Sequence, residues 1–388
     1  MDSTPAAQPP LLLIRADADD RIGAGHVMRT LALAQAWQAL GGRATYFSAA
    51  MFPTLVERLR ESNLDVWHST APVGSSSDAE RFVQLAKQHQ AVAVVDGYQF
   101  DQSYLHQVAL LPTATLTIDD GARAGKYETD LVLDVGLEAT SESYACRSTR
   151  TRLLLGPRYS LVRTEFIHHP RRQRERLGNV ESILVSLGGA DPTGSLPTIV
   201  RGLRRLKRSD LCIRVIAGFD AKARSSLQAI VEGDPRFQLF GYRDDMAEQY
   251  AWADLAICGG GGSNHEMAVF RTPRCLVVVA DNQVANVREF ERIRAAVNLG
   301  PATGLEAERL ASIVEQLLHD PERIRAMAAA RGAPTVSAPV ASSSDCKKST
   351  ARSWRRHRCL GVIIDGRVRF EIAIGDTRRR GHAARLEE

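Results

Sequence analysis

Along the chain, short apolar runs alternate with longer amphipathic stretches, the pattern of strands separated by helices. Leu11–Arg15 reads as a strand, Gly25–Ala39 as a helix and Arg43–Ser48 as a second strand. Helical stretches over Thr54–Glu61 and Ala79–Gln88 precede the strand Ala91–Val95, and Thr113–Ile118 and Asp130–Leu133 read as further strands. Such alternation predicts βαβ units and a parallel sheet. The run Val92-Ala93-Val94-Val95 is apolar throughout, as expected where helices cover both faces of a sheet.

The pattern breaks at a basic, turn-rich connector, His168-His169-Pro170-Arg171-Arg172, and then restarts. Strands are predicted over Ser182–Leu187, Cys212–Ala217, Leu255–Cys258 and Cys275–Val279, and helices over Leu196–Leu206, Ala223–Val231 and Leu305–Leu318. The expectation is an α/β chain of two Rossmann-like parallel-sheet domains facing a cleft. Residues 11–160 form the first and 181–332 the second, with a polar arm at 1–10 and a linker at 161–180. Beyond Gly332 the character changes. Ala333–Ser344 is rich in Pro, Ser and Ala, Lys347–Arg358 has few apolar residues, and Gly361–Ile374 regains a strand-like pattern. Residues 333–388 therefore read as a weakly structured basic tail, or a divergent extension.

A length of 388 residues favours two domains over one core, and 44% hydrophobic with 24% charged residues is ordinary for a globular protein. No apolar run approaches the ~20 residues that span a bilayer. Leu11-Leu12-Leu13-Ile14 is too short for a signal-peptide core, so a cytoplasmic protein is expected. The net charge of +5 hints at nucleic acid until it is located. The tail from 333 onward holds 12 Lys and Arg against 6 Asp and Glu; the other 332 residues hold 38 against 39. The body is neutral, and nucleic acid is not an expected partner. The six cysteines, Cys146, Cys212, Cys258, Cys275, Cys346 and Cys359, form no C-x-x-C pair and have no His at zinc-finger spacing. No metal is expected.

Candidate chemistry lies in the turns that follow strands, because ligands of open α/β sheets bind outside the carboxyl ends of the strands. After the first strand the chain reads Arg15-Ala16-Asp17, then Ile22-Gly23-Ala24-Gly25-His26-Val27-Met28-Arg29. Gly23 and Gly25 allow close backbone approach, and the helix dipole at His26 favours a neutral imidazole, the form a base requires. A capping histidine without chemistry fits the position equally well. Met28 occupies the third glycine position of a dinucleotide fingerprint, and no Gly-Lys-Ser/Thr follows, so neither that motif nor a P-loop is present. In the second half, Gly259-Gly260-Gly261-Gly262-Ser263-Asn264-His265-Glu266 follows a strand and enters a helix. Its backbone N–H groups suit a diphosphate, and Glu266 suits ribose hydroxyls; a flexible turn with an ordinary glutamate is the plainer alternative. Gly188 and Gly189 form a third glycine turn. Asp96, Tyr98, Asp119 and Asp120 lie at strand ends, where carboxylates also serve as helix caps.

These residues carry a resemblance. Arg15-x-Asp17 with Ile22-Gly23-x-Gly25-His26-x-x-Arg29 resembles the opening of the UDP-2,4-diacetamido-2,4,6-trideoxy-β-L-altropyranose hydrolases of the pseudaminic acid pathway. Asp96-x-Tyr98, Asp119-Asp120, the stretch Gly156 to Phe166 containing Arg163, Gly188-Gly189-x-Asp191, the Gly259–Glu266 turn and Asn282-Gln283 resemble later landmarks, in order over about residues 11–300. The second half also resembles the UDP-sugar-binding domain of the N-acetylglucosaminyltransferase that makes lipid II. The resemblance implies a GT-B-like fold holding UDP mainly by the second domain, with water attacking the anomeric carbon and His26 as catalytic base. It implies substrate contacts at Arg15, Asp17, Gly25, Arg29, Tyr98, Arg163, Gly188, Gly189, Gly260, Gly261, Gly262, Ser263, Asn264, Glu266, Asn282 and Gln283, and no cofactor. Asp134 and His265 depart from the pattern, which usually has Asn and Trp there, and both bear on sugar selectivity.

Two other readings remain. A glycosyltransferase of the same fold would pass the sugar to an acceptor hydroxyl instead of water, and fold does not separate the two. A nucleic-acid-binding protein would act through the tail, where Trp354 and Phe370 are the only interleaved aromatics.

Overall fold

The computed structural model describes residues 9–170, 178–189, 191, 193–218 and 221–330, with two paired strands at 358–364 and 367–374. Most of the N-terminal arm, residues 171–177 of the connector and the rest of the tail lie outside the described residues. The first half runs β1 (Leu11–Arg15), α1 (Gly25–Ala39), β2 (Arg43–Ser48), α2 (Pro53–Glu61), β3 (Asp65–His68), α3 (Ser76–Gln88) and β4 (Val92–Asp96). It continues through α4 (Gln102–Ala109), β5 (Thr115–Ile118), β6 (Leu131–Asp134), β7 (Arg152–Leu155) and α5 (Thr164–His168). All pairings are parallel, in the order β3-β2-β1-β4-β5-β6-β7.

The second half repeats the plan. It comprises β8 (Ser182–Ser186), α6 (Leu196–Arg204), β9 (Cys212–Ile216), α7 (Ala221–Val231), β10 (Phe237–Phe240), α8 (Met246–Trp252), β11 (Leu255–Gly259) and α9 (Ser263–Val269). Then follow β12 (Arg274–Val278), α10 (Val284–Arg292), β13 (Val297–Pro301), α11 (Ala307–Leu318) and α12 (Pro321–Ala329). Its parallel sheet runs β10-β9-β8-β11-β12-β13. The tail, read as weakly structured, contains β14 (Arg358–Ile364) and β15 (Arg367–Ile374), paired antiparallel.

The central strands are apolar because both faces are covered. Leu12 and Ile14 pack with Val27, Leu31 and Trp37 of α1 on one face, while Leu11 and Leu13 pack with Phe82 and Leu105 on the other. In the second half Ile183 and Val185 face α6 and α11 residues, and Leu184 faces Tyr250 and Met267. Each buried Leu or Ile contributes roughly 1.5–3 kcal/mol relative to exposure. Side-chain caps fix several helix starts: Ser75 accepts from the Asp78 N–H and Asp101 from the Tyr104 N–H. Helix α1 has no such cap, since Ala24 precedes it. Its first turn therefore leaves backbone donors unsatisfied by side chains, at the end of the sheet where function is expected.

The strand order decides the site. In both sheets the order reverses beside the first strand, between β1 and β4 and between β8 and β11. Loops leaving those neighbours in opposite directions open a crevice, the usual ligand position in doubly wound sheets.

Candidate active site

In the first half the reversal point brings the loop after β1 against the end of β4. His26, the second residue of α1, is 5% exposed, and its Nδ1 lies 2.6 Å from Oδ1 of fully buried Asp96. Arg29, one turn further along, donates Nε to Asp96 Oδ2 and Nη2 to Oδ1, each at 2.6 Å, and Nη1 to both Asp120 oxygens at 2.8 Å. Burial works against the Asp96 charge, but Arg29 and His26 outweigh it and hold the carboxyl below its ordinary value. Asp120 is held low in the same way, chiefly by Arg29. An ionised Asp96 can only accept, so His26 carries its proton on Nδ1. Arg29 Nη2, 3.2 Å from that nitrogen, is a donor facing a donor. The Nε2 lone pair is left basic, as in a histidine oriented by a carboxylate.

Tyr98 joins this cluster to the second half. Its hydroxyl donates to Asp120 Oδ2 at 2.6 Å and accepts from Asn282 Nδ2 at 2.6 Å, and its ring stands edge-on to His26 at 4.7 Å between centroids. Burial and Asp120 push the phenol well above its usual range, so it stays neutral.

In the second half the reversal point is lined by the two glycine turns. Gly188 has φ +112, a conformation that favours glycine, and is exposed with Gly262; Gly189, Gly261 and Ser263 are half-buried. Gly260 N–H donates to Gln283 Oε1 at 2.9 Å, and Asn286 Nδ2 donates to Gly260 O at 2.8 Å. A Cβ at Gly260 would stand 2.3 Å from Val287 Cγ2 and 3.1 Å from Gln283 Cβ, so only glycine fits between the turn and α10.

Several residues expected to touch substrate have partners within the protein. Arg15 and Asp17 are wholly buried: Arg15 pairs with Asp17 at 2.6 Å and Asp78 at 2.8 Å, and Asp17 accepts from Ser48 Oγ, the N–H groups of Ala49 and Ala50, and Gln99. Asn264 is also wholly buried and ties Gly259 O and Gly261 O to Arg274. Gln283 Oε1 is engaged by the Gly260 and Val279 N–H groups. Arg29 clamps Asp96 and Asp120. Arg163 donates to both Glu266 oxygens, at 2.7 and 3.0 Å, and lies over the Phe166 ring. Burial opposes the Arg163 charge, and Glu266 outweighs it. The pair locks the segment before α5 onto α9 and gives the Glu266 carboxylate a partner within the protein. Segment 161–168, expected as linker, is thus partly helical and packed.

Both departures from the family pattern have structural partners. Asp134 accepts from the Gly121 and Gly136 N–H groups and Tyr144 OH. His265 Nδ1 meets Ser160 Oγ at 2.9 Å across the halves, and burial, with Arg274, pushes its pKa down to about 4. Of the expected site residues, Gly25, Tyr98, Gly188 and Gly262 are exposed and Asn282 is half-buried. Sequence reading noted Asp96 and Asp120 as strand-end carboxylates and as landmarks of the resemblance; their partnership with His26 and Arg29 has no signal in local sequence. Among the described residues no three His, Cys, Asp or Glu side chains are grouped to hold a metal ion. No helix there is long and apolar enough to cross a membrane.

Residues 186–341 match the glycosyltransferase family 28 C-terminal domain. An uncharacterized protein of Methanocaldococcus jannaschii is 22% identical over 281 residues, covering 70% of this chain and 56% of that protein. The UDP-N-acetylglucosamine–N-acetylmuramyl-(pentapeptide) pyrophosphoryl-undecaprenol N-acetylglucosamine transferase of Alkalilimnicola ehrlichii is 34% identical over 164 residues, 40% of this chain and 45% of the transferase. The chain thus spans about half the length of these relatives. Acinetobacter baumannii MurG superposes with a TM-score of 0.57 at 18% identity, over 83% of this chain and 95% of MurG. The UDP-bound MnaA of S. aureus gives 0.58 at 13%, over 84% and 92%. Two doubly wound parallel sheets with these likenesses establish a GT-B-like fold, and the second half is similar to the family 28 C-terminal domain.

Proposed function

We propose that this chain is an enzyme that holds a UDP-sugar between its halves and breaks the bond between the sugar and UDP. One observation carries the proposal: His26, oriented by Asp96 at 2.6 Å, stands on one wall of a cleft whose other wall carries the glycine turns, with Tyr98 and Asn282 touching between them. In this reading the second half holds the diphosphate by backbone N–H groups of the Gly188 and Gly261 turns. His26 Nε2 takes the proton of a hydroxyl whose oxygen attacks the anomeric carbon. The bond from that carbon to the phosphate oxygen breaks, and UDP leaves with the electron pair. Asp96 stabilises the imidazolium that forms, and amide donors the charge on the departing phosphate.

The nucleophile decides the name of the reaction. The family 28 match and the transferase relatives support transfer to an acceptor better than hydrolysis. Hydrolysis of a UDP-diacetamido-trideoxy sugar, in the synthesis of nonulosonic acids, is the second reading. It is favoured by the His26–Asp96 pair in the opening motif, a complete device for activating water. Incubation with UDP-N-acetylglucosamine and UDP-diacetamido sugars, followed by NMR, separates them. Free sugar and UDP without an acceptor indicate hydrolysis, whereas UDP released only with an acceptor indicates transfer. Absence of any UDP binding in calorimetry removes both.

A further inference from the structure

Beyond the His26 cluster, on the far side of Tyr98, lies a cavity of about 140 Å³ at the carboxyl ends of β4 and β5. That volume accommodates several heavy atoms. Phe100, Leu105 and Ile118 supply apolar wall, Asp119 is a buried carboxylate in it, and Arg123 lines it from the exposed side. The Arg123 guanidinium lies over the Tyr98 ring, 4.6 Å from its centroid, and makes no ion pair or hydrogen bond among the described residues. Asp119 accepts from the N–H groups of Asp120 and Arg123 and from Tyr127 OH, which fixes its position without saturating its lone pairs. None of these groups has a part in the proton transfer assigned to His26.

We propose that this cavity is the specificity pocket for an N-acylamino substituent on the sugar, with Arg123 as its recognition residue. This rests on the UDP-sugar reading above. The ligand class follows from the walls. Asp119 and Asp101 both line the cavity against the single cation Arg123, which disfavours an anionic group. A neutral group must bring a donor for Asp119, an acceptor for Arg123 and an apolar end for Phe100, Leu105 and Ile118. An amide with a short acyl chain supplies all three; a hydroxyl lacks the apolar end. Tyr98 is the shared wall, set edge-to-face with His26 and also lining the cavity, so a sugar seated at Tyr98 presents its substituent to the pocket and its anomeric side to the base.

The test is calorimetric binding of UDP, UDP-glucose and UDP-N-acetylglucosamine to the full chain and to Arg123→Met and Arg123→Lys. Arg123 is exposed, so its replacement leaves the core intact. Wild type is expected to bind the acetamido donor more tightly than UDP-glucose by roughly tenfold or more, the size of one hydrogen bond to a charged group. Arg123→Met should bring the two within about twofold, and Arg123→Lys should fall between. If UDP binds but wild type shows no preference, or Arg123→Met keeps it, the pocket assignment is overturned and the UDP-sugar reading stands. If UDP itself does not bind, that reading fails and the pocket falls with it.

Discussion

Asp96 serves two donors, His26 and Arg29, from a position with no exposure to water. Asp96→Asn keeps the shape but can turn an N–H towards His26, favouring the tautomer with its lone pair on Nδ1. Turnover should fall on the order of 10²–10⁴-fold, as when a carboxylate orienting a catalytic histidine is lost. His26→Asn should abolish turnover while UDP affinity, read by calorimetry, stays within about twofold. Glu266 belongs to a different class. Sequence position suggests a ribose ligand, yet both its oxygens accept from buried Arg163. Glu266→Ala leaves Arg163 with Glu165, 3.0 Å away, as its remaining counter-charge and should destabilise the protein by up to about 3–5 kcal/mol in denaturant unfolding, with any loss of UDP affinity following from the shifted α9. A variant of wild-type stability with weakened UDP binding would restore the ribose role.

At the scale of elements, the glycine turn after β11 is a rigid piece rather than a loose loop. Gln283 and Asn264 hold its backbone, and Val287 of α10 closes on Gly260. Gly260→Ala should force the turn off α10, lowering the thermal midpoint and weakening UDP binding together; a variant with unchanged affinity would take the turn out of the diphosphate site. The cluster formed by α1 and the ends of β4 and β5 has a pH signature. Asp96 and Asp120 are held below their ordinary 3.8 by Arg29, so folding favours their ionised forms. Their stabilisation is present above that value and is lost as pH falls through it towards the depressed native values. The thermal midpoint of wild type should fall steeply below about pH 4, and Asp120→Asn should flatten that fall. Strands β1, β2 and β8 and helix α1 were legible from apolar runs and amphipathic stretches. Edge strand β3, Asp65–His68, is only partly buried and carries no clear apolar run, and α8, of seven residues, is too short to show a helical period, whereas α9 was read from the glycine turn that enters it.

Across the whole molecule, the halves meet through an aromatic contact, Phe166 against Tyr250 and Phe270, and through specific polar pairs. Tyr98 meets Asn282, Ser160 meets His265, Arg163 meets Glu266, and Arg58 reaches Asp244 at 3.2 Å. The tail stands apart in charge. A chain ending at Gly332 should fold and bind UDP like the full chain, since the named turns and both parallel sheets precede that point. The full chain should bind heparin at low salt and release it as salt rises, while the shortened chain should not, because such binding follows the cations supplied. Insolubility of the shortened chain would show that the β14–β15 pair belongs to the folded body.

Apolar runs separated by amphipathic helices determined the class of fold, because a strand covered on both faces must be apolar throughout and its crossover helix must be amphipathic. Glycine turns after strands likewise put the candidate site at the carboxyl ends of both sheets. Which strands lie side by side was a tertiary decision, set by how the helices pack around each sheet. That decision put β4 beside β1, and so Asp96 beside His26, 70 residues away. It also buried Arg15, Asp17, Asn264 and Glu266 against partners that the local sequence does not show. A polar side chain looks the same in sequence whether it faces a substrate or a buried partner. Only the packed structure, which supplies those partners at hydrogen-bond distance, tells the two apart.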